Sequence, residues 1–116
     1  MISLEKSVNE LSNLIREFRF QEALDRFYAE DIITVENENP PTIGLDAYRL
    51  GAKKYLGNIS NASAELLNVI VSDDITVMHW HYKFDHKEWG RWDKVQISVQ
   101  RWKDGKITHE RHHYTV

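Results

Sequence analysis

The sequence lacks cysteine altogether, which excludes disulfide bonds, thiolate metal ligands and cysteine nucleophiles. It also lacks any stretch approaching 18 consecutive apolar residues, so no membrane-spanning helix is expected. Its first six residues show no basic segment followed by an apolar run, and this predicts no secretory signal. We therefore expect a cytoplasmic protein.

Basic residues are fewer than acidic ones: the sequence has 15 lysines and arginines and 18 aspartates and glutamates, which gives a net charge of −3. Proteins that bind nucleic acid usually carry a basic excess on one face, so a nucleic-acid partner is not expected. No glycine-rich phosphate-binding loop is present either, and no cofactor is predicted. A chain of 116 residues has room for one domain, which we place at residues 1–116.

The spacing of apolar residues changes midway along the chain. Spacings of three and four predict helices at residues 4–18, 20–28 and 45–56, the last ending at Gly57. A β-branched run predicts a short strand at residues 32–35, followed by a loop that contains both prolines. An alternation of period two then predicts strands at residues 62–71, 75–85, 91–102 and 107–115. This order predicts an α+β fold with helices packed on one face of the sheet.

Three segments resemble the SnoaL-like, nuclear-transport-factor-two-like group of proteins. They are FQEALDRFYAEDI at 20–32, GLDAYR at 44–49 and VQISVQRWKDGKI at 95–107. The resemblance implies a cone-shaped, strongly curved antiparallel or mixed sheet, with three helices from the N-terminal half on its concave face. The group includes ketosteroid isomerases, polyketide cyclases, limonene epoxide hydrolase, scytalone dehydratase and non-enzymatic dimerising modules, so the fold alone does not specify an activity.

The resemblance also assigns positions to catalytic groups. The ketosteroid isomerase base falls on Asn37, and an amide cannot accept a proton at neutral pH. The oxyanion-hole tyrosine would fall on Ser12 or Asn13, and the second oxyanion donor near Ser98. Steroid isomerisation by that mechanism is therefore not expected. The acid/base aspartate of polyketide cyclases falls on His112, and histidine can serve as an acid or a base near neutral pH.

Alternation along the strands, combined with the resemblance, predicts which side chains face the pocket. The expected catalytic residues are His112 and Glu110. The expected ligand-binding residues combine aromatic rings with amides: Trp80, Tyr82, Trp92, Gln96, Gln100, Trp102 and Asn37. Aromatic walls with a few convergent polar groups are typical of small-molecule pockets.

The predicted ligand is a small organic molecule, and whether it is transformed is left open. An enzymatic function would be that of a cofactor-independent isomerase, cyclase or lyase (a dehydratase, for example), acting on a hydroxylated aromatic or polyketide-like compound. The alternative is a non-enzymatic homodimeric interaction module in which the aromatic cavity is only hydrophobic core.

Hydrophobicity and resemblance disagree about one strand. Hydrophobicity places Val95, Ile97 and Val99 in the core, whereas the resemblance places them on the convex face. Both hold if the convex face is covered by a second copy, so we expect a homodimer formed through these residues together with His79 and His81.

Histidines raise a separate hypothesis. His79 and His81 share one strand face, and His109 and His113 share the same face of another, an arrangement that could bind zinc or copper. The sheet order implied by the resemblance separates the two pairs by one strand, about 10 Å. This is too far for one ion, and no metal site is predicted.

Overall fold

The computed structural model describes residues 3–115, and these form three helices and a six-stranded sheet. Helix α1 spans Leu4–Arg16, α2 spans Phe20–Phe27 and α3 spans Leu45–Asn58. The strands are β1 (Tyr28–Glu36), β2 (Thr42–Ile43), β3 (Ile59–Ser72), β4 (Ile75–His86), β5 (Gly90–Lys103) and β6 (Lys106–His113). The predicted α+β fold is confirmed.

The sheet has the order β2-β1-β6-β5-β4-β3, and it is mixed because β1 pairs with β6 in parallel while its other pairings are antiparallel. It is curled without closing into a barrel, and the helices pack on its concave face. No helix within residues 3–115 is both long enough and apolar enough to cross a membrane.

Helices α1 and α2 cover one part of the concave face. The Ser3 side chain accepts a hydrogen bond from the backbone N–H of Lys6 and caps α1, as expected from its position before the first apolar residue. The apolar stripe of α1 buries Leu11 completely, and α2 buries Leu24 and Phe27 against the sheet. These contacts form the hydrophobic core beneath α1 and α2.

Several predicted boundaries were wrong. β1 begins at Tyr28 rather than at residue 32, because Tyr28 pairs with Ile107 of β6, a distant segment that overrides the local helical pattern. Helix α3 continues through Gly57 to Asn58, whose side chain donates to the carbonyl of Lys54 in the last turn. Strand β6 ends at His113 instead of residue 115.

A β-bulge reverses the predicted side of Ile107. Arg101 is paired with His109 and Trp102 with Ile107, so Thr108 is an extra residue in β6. Alternation predicted Ile107 on the same face as His109, but the bulge turns it inward, and Ile107 is fully buried beside Trp102. From Glu110 onward the predicted faces of β6 are correct.

The convex face carries exposed apolar side chains. Val95 and Ile97 of β5 are 46% and 39% exposed, while Val99 is partly covered. His79 and His81 lie on the same face of β4 and are half-buried. The face predicted from the resemblance, rather than from hydrophobicity, is therefore the observed one.

Candidate functional site

A cavity of about 370 Å³ lies between the concave face of the sheet and helix α3. Trp80, Tyr82 and Phe84 of β4 form part of its wall, and Tyr48 and Tyr55 of α3 lie opposite them. The volume falls within the range of pockets that hold small molecules. Aromatic side chains of the sheet and of α3 therefore line this cavity from both sides.

The walls are aromatic because β4 alternates strictly. Its inward residues are buried, and its rings pack in series along the strand, with Trp80 stacked on Tyr82 at a centroid distance of 5.6 Å. Phe84 stacks on its cross-strand partner Trp92 at 5.4 Å. Tyr55 contacts the face of Phe84 edge-on at 5.2 Å. The wall is thus braced ring against ring, which favours a cavity of fixed shape.

Glu110 of β6 is the central charged group of the site, and it is only 2% exposed. Its Oε2 accepts hydrogen bonds from the Tyr28 hydroxyl at 2.6 Å and from Gln100 Nε2 at 2.9 Å. Its Oε1 accepts from the Tyr48 hydroxyl at 2.6 Å and lies 3.2 Å from His112 Nε2. A buried carboxylate with donors on both oxygens is held in the ionised form and in one orientation.

A second layer of hydrogen bonds holds Gln100 in place. Its Oε1 accepts a 2.7 Å hydrogen bond from the Thr76 hydroxyl, and Thr76 Oγ1 accepts one of 2.9 Å from Trp102 Nε1. Since Thr76 and Gln100 are fully buried, this chain explains how a glutamine can point inward from β5. Gln100 therefore positions Glu110, and its amide is already occupied.

His112 lies two residues from Glu110 on the same face of β6 and lines the cavity. Its Nδ1 is 2.7 Å from Ser98 Oγ and 3.2 Å from Gln96 Nε2. Its Nε2 faces Glu110 Oε1 and, also at 3.2 Å, the Tyr48 hydroxyl. The imidazole is therefore oriented through both nitrogens, with Nε2 directed at a carboxylate.

The two ionisable groups stabilise each other's charged form. Burial by itself would raise the pKa of Glu110, but the charge of His112 and the hydrogen bonds from His112, Tyr28 and Tyr48 lower it from 4.5 to about 2. Burial by itself would lower the pKa of His112, but the charge of Glu110 and the hydrogen bond to it raise that pKa above 6.5. Glu110 is consequently too weak a base for proton abstraction near neutral pH, whereas His112 keeps its proton to a higher pH than an ordinary histidine does.

Tyr82 provides a different kind of polar group. Within residues 3–115 no hydrogen bond to its hydroxyl is found, and no buried polar side-chain atom of this part of the chain lacks a partner. The hydroxyl must therefore be accessible from the cavity that Tyr82 lines. Burial raises the pKa of Tyr82 well above 10, so the hydroxyl keeps its proton and can donate a hydrogen bond to a ligand oxygen.

Most of the predicted site residues come together, and two do not. The cavity lining includes these predicted residues: Trp80, Tyr82, Trp92, Gln96, Gln100, Glu110 and His112. Trp102 lies outside the lining and packs against Phe27, at a centroid distance of 6.1 Å. Asn37 also lies outside it; its Oδ1 accepts the backbone N–H of Tyr114. Asn37 has a φ of 52°, which asparagine tolerates better than most residues, so it stabilises a turn.

Neither tyrosine partner of Glu110 is among the site residues predicted from the sequence. The local pattern places Tyr28 at the end of a helix and Tyr48 on the apolar face of another, and both positions suit ordinary core residues. Glu36, which lines the cavity near its exposed rim, was missed as well. Its position beside His112 in the β1–β6 register follows from a parallel pairing that no local pattern reveals.

Strand β5 separates the histidines of β4 from those of β6, as expected. No group of three or more histidine, aspartate or glutamate side chains suited to a metal ion occurs in residues 3–115. On β4, His81 interacts instead with Asp93, and His79 Nδ1 lies 3.2 Å from the Asn68 amide.

Residues 14–110 match the family model described as the SnoaL-like domain. The chain belongs to the SnoaL-like domain family. No curated protein matches the sequence of this SnoaL-like chain.

Solved structures agree with this assignment. A Mesorhizobium loti protein provisionally named a SnoaL-like polyketide cyclase and also labelled a carbohydrate phosphatase is 23% identical, with a TM-score of 0.84 over 97% of this chain and 100% of its own. A provisionally named SnoaL-like polyketide cyclase from a Jannaschia species is 12% identical, with a TM-score of 0.82 over 98% of this chain and 90% of its own.

An epoxide hydrolase of M. tuberculosis that resembles limonene epoxide hydrolase is 13% identical, with a TM-score of 0.77 over 95% of this chain and 80% of its own. At these identities the similarities establish the fold of the SnoaL-like chain, and its chemistry has to be argued from its own side chains.

Proposed function

We propose that this SnoaL-like protein binds a small, mostly apolar organic molecule in the cavity and acts on it by cofactor-independent acid–base chemistry. One observation carries the proposal: a 370 Å³ aromatic cavity contains in its wall a histidine that is hydrogen-bonded to a buried, ionised glutamate. Isomerisation, cyclisation and dehydration all need a proton donor or acceptor beside an apolar substrate, and this arrangement supplies one.

His112 is the proposed acid or base. Because Glu110 raises the pKa of His112, the imidazolium persists to a higher pH than in an exposed histidine, and proton donation is favoured near neutrality. Glu110 is a positioning residue, since its oxygens are engaged by Tyr28, Tyr48 and Gln100.

Ser98 and Gln96 occupy Nδ1 of His112, so a substrate oxygen would reach the imidazole by displacing the Gln96 amide or through the Ser98 hydroxyl. The Tyr82 hydroxyl is the proposed contact for a second substrate oxygen. A hydroxylated aromatic or polyketide-like compound would match these features, with its rings against Trp80 and Trp92 and its oxygens towards Tyr82 and His112.

Thermal-shift screening of hydroxylated aromatic and polyketide-like compounds tests the pocket. A compound present at about 100 times its dissociation constant should stabilise the protein by about 2.7 kcal/mol. Tyr82→Phe should weaken the binding of compounds whose hydroxyl or carbonyl contacts the Tyr82 hydroxyl. The binding of their deoxygenated analogues should be unaffected. A broad panel without a single stabilising compound would reject the pocket.

The acid–base role needs a separate test once a substrate is identified. His112→Ala should abolish turnover, while His109→Ala, which alters an exposed histidine on the same strand, should leave it intact. Unchanged turnover in the His112→Ala variant would remove His112 from the mechanism.

The exposed convex face favours a second proposal, that two copies of the chain associate through it. Val95, Ile97 and Ile70 are 46%, 39% and 59% exposed there, and apolar residues clustered on one side of a sheet favour burial in an interface. Ile97→Lys should convert a dimer to a monomer in size-exclusion chromatography with light scattering. Leu50→Lys, at an exposed position of α3, should leave the dimer intact. A monomeric wild-type protein at micromolar concentration would exclude this interface.

A further inference from the structure

The rim of the cavity combines aromatic rings with a carboxylate. Trp89, in the β4–β5 turn, is 57% exposed and also lines the cavity, so it lies where the cavity meets solvent. Trp89 meets Trp92 at a centroid distance of 5.6 Å and an angle of 45°, and Trp92 meets Tyr114 at 5.4 Å and 64°. Each tryptophan is also stacked on a second ring, Trp89 on the His86 imidazole and Trp92 on Phe84, so one face of each is already covered.

Glu36 contributes the charge of this rim, which we define as Glu36, Trp89, Trp92 and Tyr114. Glu36 ends β1, is exposed and lines the same cavity. Its carboxylate forms no ion pair with a lysine or arginine anywhere in residues 3–115. Glu36 lies close to Tyr114, because it pairs with His112 in the β1–β6 register and its neighbour Asn37 accepts the backbone N–H of Tyr114; burial of the ring, followed by the charge of Glu36, raises the pKa of Tyr114 to about 12.

The charges around the cavity favour a positive ligand. Its lining, within the described chain, contains no lysine or arginine, and its charged members are Glu36, Glu110 and His112. Glu110 and His112 neutralise each other when the imidazole is protonated, so Glu36 is the one unbalanced charge of the lining, and the Lys94 ammonium at Trp92 lies outside that lining. An anionic ligand would approach this carboxylate unfavourably, and a cation would approach it favourably.

The molecule itself shows that one of these rings accepts an ammonium group. The Nζ of Lys94 lies 4.1 Å from the centroid of Trp92 and donates to the carbonyl of Thr115. Lys94 is not part of the cavity lining, and because Phe84 also stacks on Trp92, this ring is already occupied within the protein. No ring–cation contact to Trp89 or Tyr114 is found in residues 3–115.

We propose that the natural ligand carries an alkylated ammonium group, bound at the rim between Glu36 and the rings of Trp89 and Tyr114, with its apolar body inside the cavity. This inference rests on the proposed small-molecule pocket and names the charge class of its ligand. Electron-rich ring faces attract a methylated ammonium, and a nearby carboxylate neutralises it. Each contribution is modest, and together they amount to about a tenfold preference over an uncharged group of the same shape.

Two probes of nearly the same shape, one cationic and one neutral, test how much the charge of the ligand contributes to binding. The para-hydroxybenzyl trimethylammonium ion and para-neopentylphenol share a phenol ring and differ in a charged nitrogen in place of a quaternary carbon. We expect calorimetric titration at low ionic strength to give about tenfold tighter binding of the cation. The preference should shrink as the ionic strength approaches about 0.15 M, because the Debye length falls to about 8 Å.

Glu36→Gln should reduce the preference for the cationic probe to less than threefold. Trp89→Leu should weaken binding of the cationic probe more than binding of para-neopentylphenol. Glu38→Gln is the matched control, since Glu38 carries the same charge two residues away, pairs with Arg111 and does not line the cavity. Equal binding of the two probes to the wild type, or a preference that survives Glu36→Gln, would overturn the proposal while leaving the pocket intact. Binding of neither probe, with no compound bound in the thermal-shift screen, would overturn both proposals.

Discussion

Replacing Glu110 with glutamine removes the charge on which the buried network depends. The substitution keeps the side-chain shape, but its NH₂ group replaces either Oε1, which accepts from Tyr48, or Oε2, which accepts from Tyr28 and Gln100. It also leaves His112 in a buried position without its counter-charge. A pKa lowered from 4.5 to about 2 corresponds to about 3 kcal/mol of stabilisation of the ionised carboxylate in the folded state.

We therefore expect Glu110→Gln to lower the free energy of unfolding by about 3 kcal/mol at pH 7, as is usual when one partner of a buried pair is removed. This is a large part of the 5–15 kcal/mol, roughly, that stabilises a domain. Urea unfolding followed by tryptophan fluorescence measures it. Glu65→Gln, at an exposed position of β3, is the control and should change stability by less than about 0.5 kcal/mol.

The stability difference between the wild type and Glu110→Gln should depend on pH in a direction set by the pKa shift of Glu110. The folded-state pKa of Glu110 is depressed, so its stabilising contribution is present above pH 4.5 and is lost as the pH falls towards 2. The gap between wild type and Glu110→Gln should therefore narrow over that interval. A gap below about 1 kcal/mol at pH 7, or one that stays constant down to pH 3, would refute the role assigned to the carboxylate.

Two further predictions concern the same network. NMR titration should show the His112 imidazole losing its proton above pH 6.5. The stabilising contribution of His112 is therefore complete below that pH and is lost as the pH rises through the raised pKa. In the Glu110→Gln variant the pKa of His112 should fall, because burial then dominates. A wild-type pKa below 6.5 would contradict the ion pair. Thr76→Val should cost about 2 kcal/mol in urea unfolding, because it leaves Gln100 Oε1 and Trp102 Nε1 buried without partners. A cost below about 0.5 kcal/mol would show that these groups find other partners.

The strand pattern by itself determined one wall of the site. In β4 every second residue is large and apolar, and one face of a strand is the only arrangement that buries Met78, Trp80, Tyr82 and Phe84 together. The amphipathic spacing of α1 and the Ser3 cap were likewise readable, since helix periodicity and capping involve neighbours a few residues apart.

Strand β5 shows what local patterns cannot decide. Hydrophobicity alone would turn Val95 and Ile97 inward, yet the structure buries Ser98 and Gln100 and leaves those two apolar residues exposed. A buried glutamine is favourable only if distant groups satisfy its amide, and here Thr76 of β4 and Glu110 of β6 do so. Only the resemblance to a known fold predicted this face correctly.

The tertiary structure alone assembled the environment of Glu110. Tyr28 is 82 positions away in the chain and Tyr48 is 62, and each lies in an element whose local pattern is that of ordinary core packing. The Thr108 bulge likewise moved Ile107 to the opposite face, and nothing in the alternation indicates it. The sequence alone therefore determined the periodic elements, because their signals are local. The charge state and partners of Glu110 and His112 depended on long-range contacts that exist only once the sheet has curled beneath the helices.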